Sequence, residues 1–494
     1  MSPTSTPPID FDNSYARMGE RFFARVDPTP VAAPRLIRVN VSLARDLGID
    51  PVWLASPDGI AVLAGNAQAP GSEPIAMAYA GHQFGGFVPK LGDGRAILIG
   101  EVVDRHGVRR DIHLKGAGRT PFSRSGDGRA ALGPVLREYL VSEAFAAIGI
   151  PTTRALAAVQ TGEYVYRETP LPGAILARVA QSHIRVGTFQ YFAARGEVES
   201  VRQLADYVIM RHYPDCRQAQ EPHAELLKCV IERQAQLIAR WMLVGFIHGV
   251  MNTDNMSIAG ETIDFGPCAF MDDYHPAKVF SSIDRGGRYA YANQPAIAQW
   301  NLVRFAETLL PLLAETEEAA IAKAQDRIDR FPKIFEDALL AGYRRKLGLA
   351  GAEDGDLALV QDFLTLMAQN RADFTLAFRA LSEVASGDEQ RLRSLFLATD
   401  AFEAWLARWW ARVRRDDVHP HALTARLIAA NPLYIPRNHL IERVITAAQS
   451  EEDFAPFERL LDVLAQPFEE RPGLEDYARP PAPDEVVHQT FCGT

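Results

Sequence analysis

His248-Gly249-Val250-Met251-Asn252-Thr253-Asp254-Asn255 and the string Ile263-Asp264-Phe265-Gly266 that follows it decide how the chain is read. The amide of Asn255 and the carboxylate of Asp264 lie on neighbouring loops. Both are hard oxygen donors of the kind that hold magnesium against nucleotide phosphates. Asp254 sets a second carboxylate beside the amide, open to three roles: proton acceptor, outer support for a metal, or turn former. His248 reads as a brace for the loop.

Working outward, residues 76–118 read as β-structure. Ala96 to Val103 and Val108 to Lys115 form a hairpin around Arg105-His106-Gly107. Gly92-Asp93-Gly94-Arg95 stands just before it, where glycines let backbone amides approach an anion, although the same string also suits a plain turn. Lys115 closes the second strand. A helix follows, with Pro134 near its start, apolar positions at Val135, Leu136, Leu140, Ala144, Phe145 and Ile148, and Gly149 and Pro151 at its end. Glu138 on this helix is the best partner for Lys115. Glu143, five residues on, points about 140° away. The alternative is an exposed lysine and a solvated glutamate.

Between strand and helix, a glycine-rich connection carries Arg124, Asp127, Gly128 and Arg129, a composition that favours anion capture. Arg178 and Arg185 flank the end of a short strand at Ala174–Val179. An arginine there is costly to bury alone, so it serves either a phosphate or a structural salt bridge. From about Gly187 to residue 465 the apolar spacing is mostly helical, and Pro467–Thr494 is rich in Pro and Glu.

Strands with one helix, then a larger helical part carrying the metal loop, is the layout of a protein kinase. In that pattern, H-R-D-x-x-x-x-N, an Asp two places after the His orients the attacking hydroxyl. Here that place is Val250. The expected fold is therefore α+β and bilobal, protein-kinase-like, with a strand-rich N-terminal lobe over 1–186 and an extended helical C-terminal lobe over 187–494.

With 494 residues, 47% of them hydrophobic, the chain can bury one large core or two medium ones. A net charge of -10 argues against a nucleic-acid partner. Four cysteines without a C-x-x-C pair indicate neither zinc nor a disulfide framework, so a reducing cytoplasm is expected. Met1–Pro8 lacks the features of a secretory signal, and no apolar run approaches the ~18 to 20 residues that span a bilayer. A monomer is the default expectation.

Phe11-Asp12-Asn13-Ser14-Tyr15, Ala80-Gly81-His82-Gln83-Phe84-Gly85, Leu91-Gly92-Asp93-Gly94-Arg95, His248 to Asn255 and Thr490-Phe491-Cys492-Gly493-Thr494 together resemble the selenoprotein O family over essentially the whole chain. The resemblance implies a pseudokinase fold that binds ATP flipped and transfers AMP to Ser, Thr or Tyr hydroxyls of protein substrates. It assigns Gly92, Gly94 and Arg95 to the nucleotide loop, Lys115 to phosphate, Asp127 and Gly128 to a second phosphate loop, and Arg178 and Arg185 to phosphate. Asp254 becomes the base, and Asn255 and Asp264 the ligands of magnesium, with manganese as the alternative. Rival readings are UMP transfer by the same site, ordinary phosphotransfer, and an inert nucleotide-binding scaffold. Some members carry selenocysteine where this chain has Cys492. A disulfide from Cys492 to Cys268 is one expectation there, and a buried thiol with a loose tail is the other.

Overall fold

The computed structural model describes residues 8–397, 399–417 and 419–491. An eight-stranded sheet organises the first part of the chain. Seven strands run in the order Phe23–Arg25, Ile75–Met77, Ala96–Val103, Arg109–Lys115, Pro170–Ala180, Arg154–Tyr166 and Arg35–Val39, and Ala130–Ala131 pairs with Pro170–Ala180. Every pairing is antiparallel. Successive strand residues point to opposite faces, so Ile97 and Ile99 pack with Leu114, Ile175 and the short N-terminal helices. Leu98 and Leu176 instead join the second, larger core.

On that second face lies the helix Leu132–Ile148, closed by Gly149 at φ 86°, a left-handed cap that suits glycine. It is buried nearly all round because helices Asn438–Ser450 and Ala455–Leu464 cover its other side. Ion pairs Arg137–Glu442 and Arg38–Glu458 bind the two regions together. From Val186 onward the chain is chiefly helical, with Pro222–Leu243 and Gln294–Leu313 the longest helices among the described residues.

The hairpin and its helix stand where the sequence puts them. The expected strand at Ala174–Val179 is longer, Pro170–Ala180, and it pairs with Arg154–Tyr166, a strand the sequence reading passes over. Alanines at 155, 157 and 158 give that segment little β-propensity, and it is held by burial against its neighbours. Among the described residues, no helix is long and apolar enough to cross a membrane.

Candidate functional site

Strand register gathers the cations. Lys115 lies opposite Ala96 and Leu176, and His113 lies opposite Leu98 and Arg178. Residues two apart on a strand share a face, so Lys115, His113 and Arg178 point the same way, and Arg178 Nε donates to His113 Nδ1 at 3.1 Å. Beneath them Glu138 accepts from Lys115 Nζ at 2.5 Å and from Arg178 at 3.2 Å. Glu143 is turned away onto Arg154 and Asn40, as its helical spacing requires.

Asp264 enters from the opposite side with φ 63°, a backbone conformation uncommon for a non-glycine residue. Its Oδ1 accepts from Arg178 at 2.6 Å and Lys115 at 3.0 Å, and its Oδ2 from Arg185 at 2.7 Å. Both arginines are thus ion-paired, and to an expected metal ligand. Burial alone would raise the Asp264 carboxyl, but Arg178, Lys115 and Arg185 hold it well below the usual carboxylate range. Arg185 also stacks over the Tyr79 ring at 4.6 Å and donates to the Asp254 carbonyl at 2.6 Å.

Asp254 sits in the short 3-10 turn Thr253–Asn255 and is buried. Its Oδ2 accepts from Gln83 at 3.2 Å, whereas Oδ1 has no hydrogen-bond partner among the described residues. Burial pushes its ionisation up to about 6, against the pull of Arg185 and Gln83. A buried carboxylate oxygen with nothing to accept is unfavourable unless a donor arrives. The small hairpin Gly81–Gln83/Gly86–Val88 docks here, with His82 N donating to Thr253 Oγ1 at 2.6 Å and Phe84 N to Asn252 Oδ1 at 3.1 Å. A Cβ on Gly81 would stand 2.6 Å from Asp254 Oδ1. Gly81→Ala is therefore expected to displace the carboxylate and, for the nucleotidyl transfer proposed below, to lower the rate roughly tenfold or more while leaving nucleotide affinity within about twofold. Initial rates with a fluorescent-nucleotide titration on the same samples check this.

Asn255 anchors Nδ2 on the Val250 carbonyl at 3.0 Å, which leaves its Oδ1 as the oxygen to offer. His248 Nε2 lies 3.0 Å from the Ile263 carbonyl and ties the two motif strings together. An amide oxygen and an ionised carboxylate fit magnesium or manganese, which take a few protein oxygens and complete their shell with water and phosphate. Among the described residues there is no cluster of three or more His, Cys, Asp or Glu that would make a dedicated all-protein metal cage.

A cleft of about 340 Å³ brings together Gly94, Arg95, Lys115, Arg178, Arg185, Asp254, Asn255 and Asp264. An adjoining cavity of about 710 Å³ shares Gly94, Arg95, Arg124 and Asp254 and adds Gly92, Asp127 and Gly128. Gly92, at φ 70°, would push a Cβ to 2.3 Å from the Phe122 ring, and a Cβ on Gly128, at φ 72°, would fall 2.1 Å from the Gly118 carbonyl. Both loops close only with glycine there. The Asp127 carboxylate is engaged by Arg167 at 2.8 Å and by the Arg129 amide at 2.9 Å, and Arg129 donates to the carbonyls of Thr29 and Pro30. Asp93 is buried on Met77 N and His113.

Three contributors went unread in the sequence: Tyr79, Gln83 and the close approach of Gly81. The polar string Gly81-His82-Gln83 was visible, but its partner lies 171 residues away. Cys492 lies outside the described residues, and Cys268 is buried. Among the described residues, the sulfurs of Cys216 and Cys229 lie 3.7 Å apart.

Helix, antiparallel sheet and a cleft crowded with buried cations and carboxylates define an α+β protein built around a cation-lined cleft. The model of the family described as protein adenylyltransferase SelO matches residues 7–465, and the chain belongs to that family. Curated relatives include proteins named protein nucleotidyltransferase YdiU from Nitrobacter hamburgensis, 60% identical over all of this chain and 98% of the relative, and from Rhizobium rhizogenes, 61% identical over 99% of this chain and 97% of the relative. Another of the same name, from Methylorubrum extorquens, is 60% identical over 98% and 99%.

Proposed function

We propose that the protein is an adenylyltransferase that moves AMP from ATP onto Ser, Thr or Tyr hydroxyls of protein substrates, on a bilobal kinase-like frame divided near residue 186. The observation that carries this reading is Asp254: a buried carboxylate with an unpartnered oxygen, ionising near 6, in a cleft whose kinase-type base position is Val250. Asp254 accepts the acceptor hydroxyl's proton as that oxygen attacks the α-phosphorus. The bond from the α-phosphorus to the bridging oxygen breaks, and pyrophosphate leaves. A leaving pyrophosphate carries more charge than a single phosphoryl group, which accounts for a site that keeps Lys115, Arg178 and Arg185 within reach of one carboxylate. The loops around Gly92 and Gly128 offer close backbone approach to the remainder of a flipped nucleotide. Asn255 Oδ1 and Asp264 would hold magnesium or manganese, which when bound would supply neutralisation of phosphate charge.

The name nucleotidyltransferase leaves the nucleobase open, and the transfer is best resolved by the intact mass of an acceptor protein. After incubation with ATP and magnesium or manganese, a gain of one adenylyl group is expected. A phosphoryl gain would overturn the reading, and a uridylyl gain from UTP at a higher rate than adenylyl from ATP would replace the donor.

A further inference from the structure

A separate cavity of about 570 Å³ opens where four helices end: Leu132–Ile148, Pro222–Leu243, Phe331–Lys346 and Pro420–Ala430. It shares no lining residue with the two cavities around Asp254. Among the described residues, its wall is mainly apolar and holds four cations, Arg240, Arg345, Lys346 and Arg426, with no Asp or Glu, in a chain whose net charge is -10.

Basic residues at helix C-termini ordinarily answer the negative end of the helix dipole. Here other donors already close those ends. Gly149 and Ile150 amides donate to the Ala146 and Phe145 carbonyls, Gly348 and Leu349 amides to those of Arg345 and Arg344, and Asn431 Nδ2 to that of Lys346. Arg240 is spent on the Gly149 carbonyl at 3.0 Å. Lys346 is different. It is 4% exposed, and its ammonium has no ion pair or hydrogen bond among the described residues; it lies 4.3 Å from the centre of the Phe378 ring and 5.5 Å from that of Phe374 and lines the cavity. Burial alone pushes it down to about 7. An ammonium buried without an anion is unfavourable, and an arriving carboxylate would relieve that penalty.

We propose that this cavity binds a small amphiphilic carboxylate, with its acid group on Lys346 and its apolar body against Ile148, Leu243, Val244 and Leu349. Arg345 and Arg426, exposed at the rim, draw the anion in. The volume is that of a small-molecule site rather than of a packing defect. The inference stands independently of the transfer reaction, since it uses none of that site's residues.

The test is calorimetric titration of the full chain with decanoate, with decan-1-ol as the uncharged control, on wild type, Lys346→Met and Arg426→Glu. Decanoate is expected to saturate one site, with decanol roughly tenfold weaker or more. Lys346→Met should lose that preference and melt no lower than wild type, since it removes an unpaired buried charge. Arg426→Glu, a surface change, should weaken decanoate several-fold and leave decanol unchanged. Equal affinity for acid and alcohol, retention of decanoate binding by both variants, or no saturable binding at all would overturn the proposal.

Discussion

Asp264→Ala is expected to abolish transfer, by roughly 10³-fold or more, and also to destabilise the fold. The first effect follows from its proposed place at the metal. The second follows from its neighbours. Lys115, Arg178 and Arg185 all reach this one carboxylate, and only Lys115 and Arg178 share Glu138 as a further partner. Removing this carboxylate leaves Lys115 and Arg178 sharing Glu138 alone and Arg185 with only Asp93 at 3.9 Å, a buried cluster short of one negative charge, at about 3–5 kcal/mol. Because Asp264 is held well below the usual carboxylate range, its stabilising contribution is present above its unfolded value of 3.8 and is lost only as pH falls through the depressed folded value. Thermal unfolding at pH 7 should therefore show the full loss, and tripolyphosphate should restore more of the melting temperature in the variant than it adds to wild type. A variant that melts like wild type would show that the cations do not depend on Asp264.

Asp254→Asn is expected to do the reverse to stability while also removing activity. As the proposed base, Asp254 should contribute roughly 10²–10⁴-fold to the rate. Wild-type turnover should rise with pH through about 6, where Asp254 ionises, and the variant's residual rate should lack that rise. The stability sign is opposite to that of Asp264. Burial raises Asp254 from 3.8 to about 6, so the folded state binds the extra proton between those values and stability declines as pH rises across them. An uncharged Asn escapes that decline. Above pH 6 the variant should be more stable, by up to about 3 kcal/mol, and near pH 3 the difference should vanish. A proposed base that weakens its own fold fits the general trade between activity and stability. Urea titrations at pH 3.5, 5 and 8 check the trend, and unchanged stability at all three would contradict the burial of an ionised carboxylate.

The sequence made the hairpin, the helix after it and the Lys115–Glu138 pair legible because each is local: a period-two run, a helix bounded by Pro134 and Gly149, and a spacing that lets Glu138 but not Glu143 face the strand. Asn255 and Asp264 were visible through their offset from His248. Strand Arg154–Tyr166 was not, since its alanines carry little preference and only the neighbouring strands hold it extended. Nor could spacing reveal that Arg178 and Arg185 both close on Asp264, contacts of 86 and 79 residues in sequence separation. The role of Gly81 was hidden for the same reason. A glycine's missing side chain acquires meaning only when the Asp254 loop is brought against it.

The most direct measurement is incubation of the purified chain and an acceptor protein with magnesium and ATP labelled at either the α- or the γ-phosphate, with Asp264→Ala alongside. Label on protein from the α-position alone, and none with the variant, is the expected result. Label from the γ-position, or from neither, would contradict nucleotidyl transfer at this site.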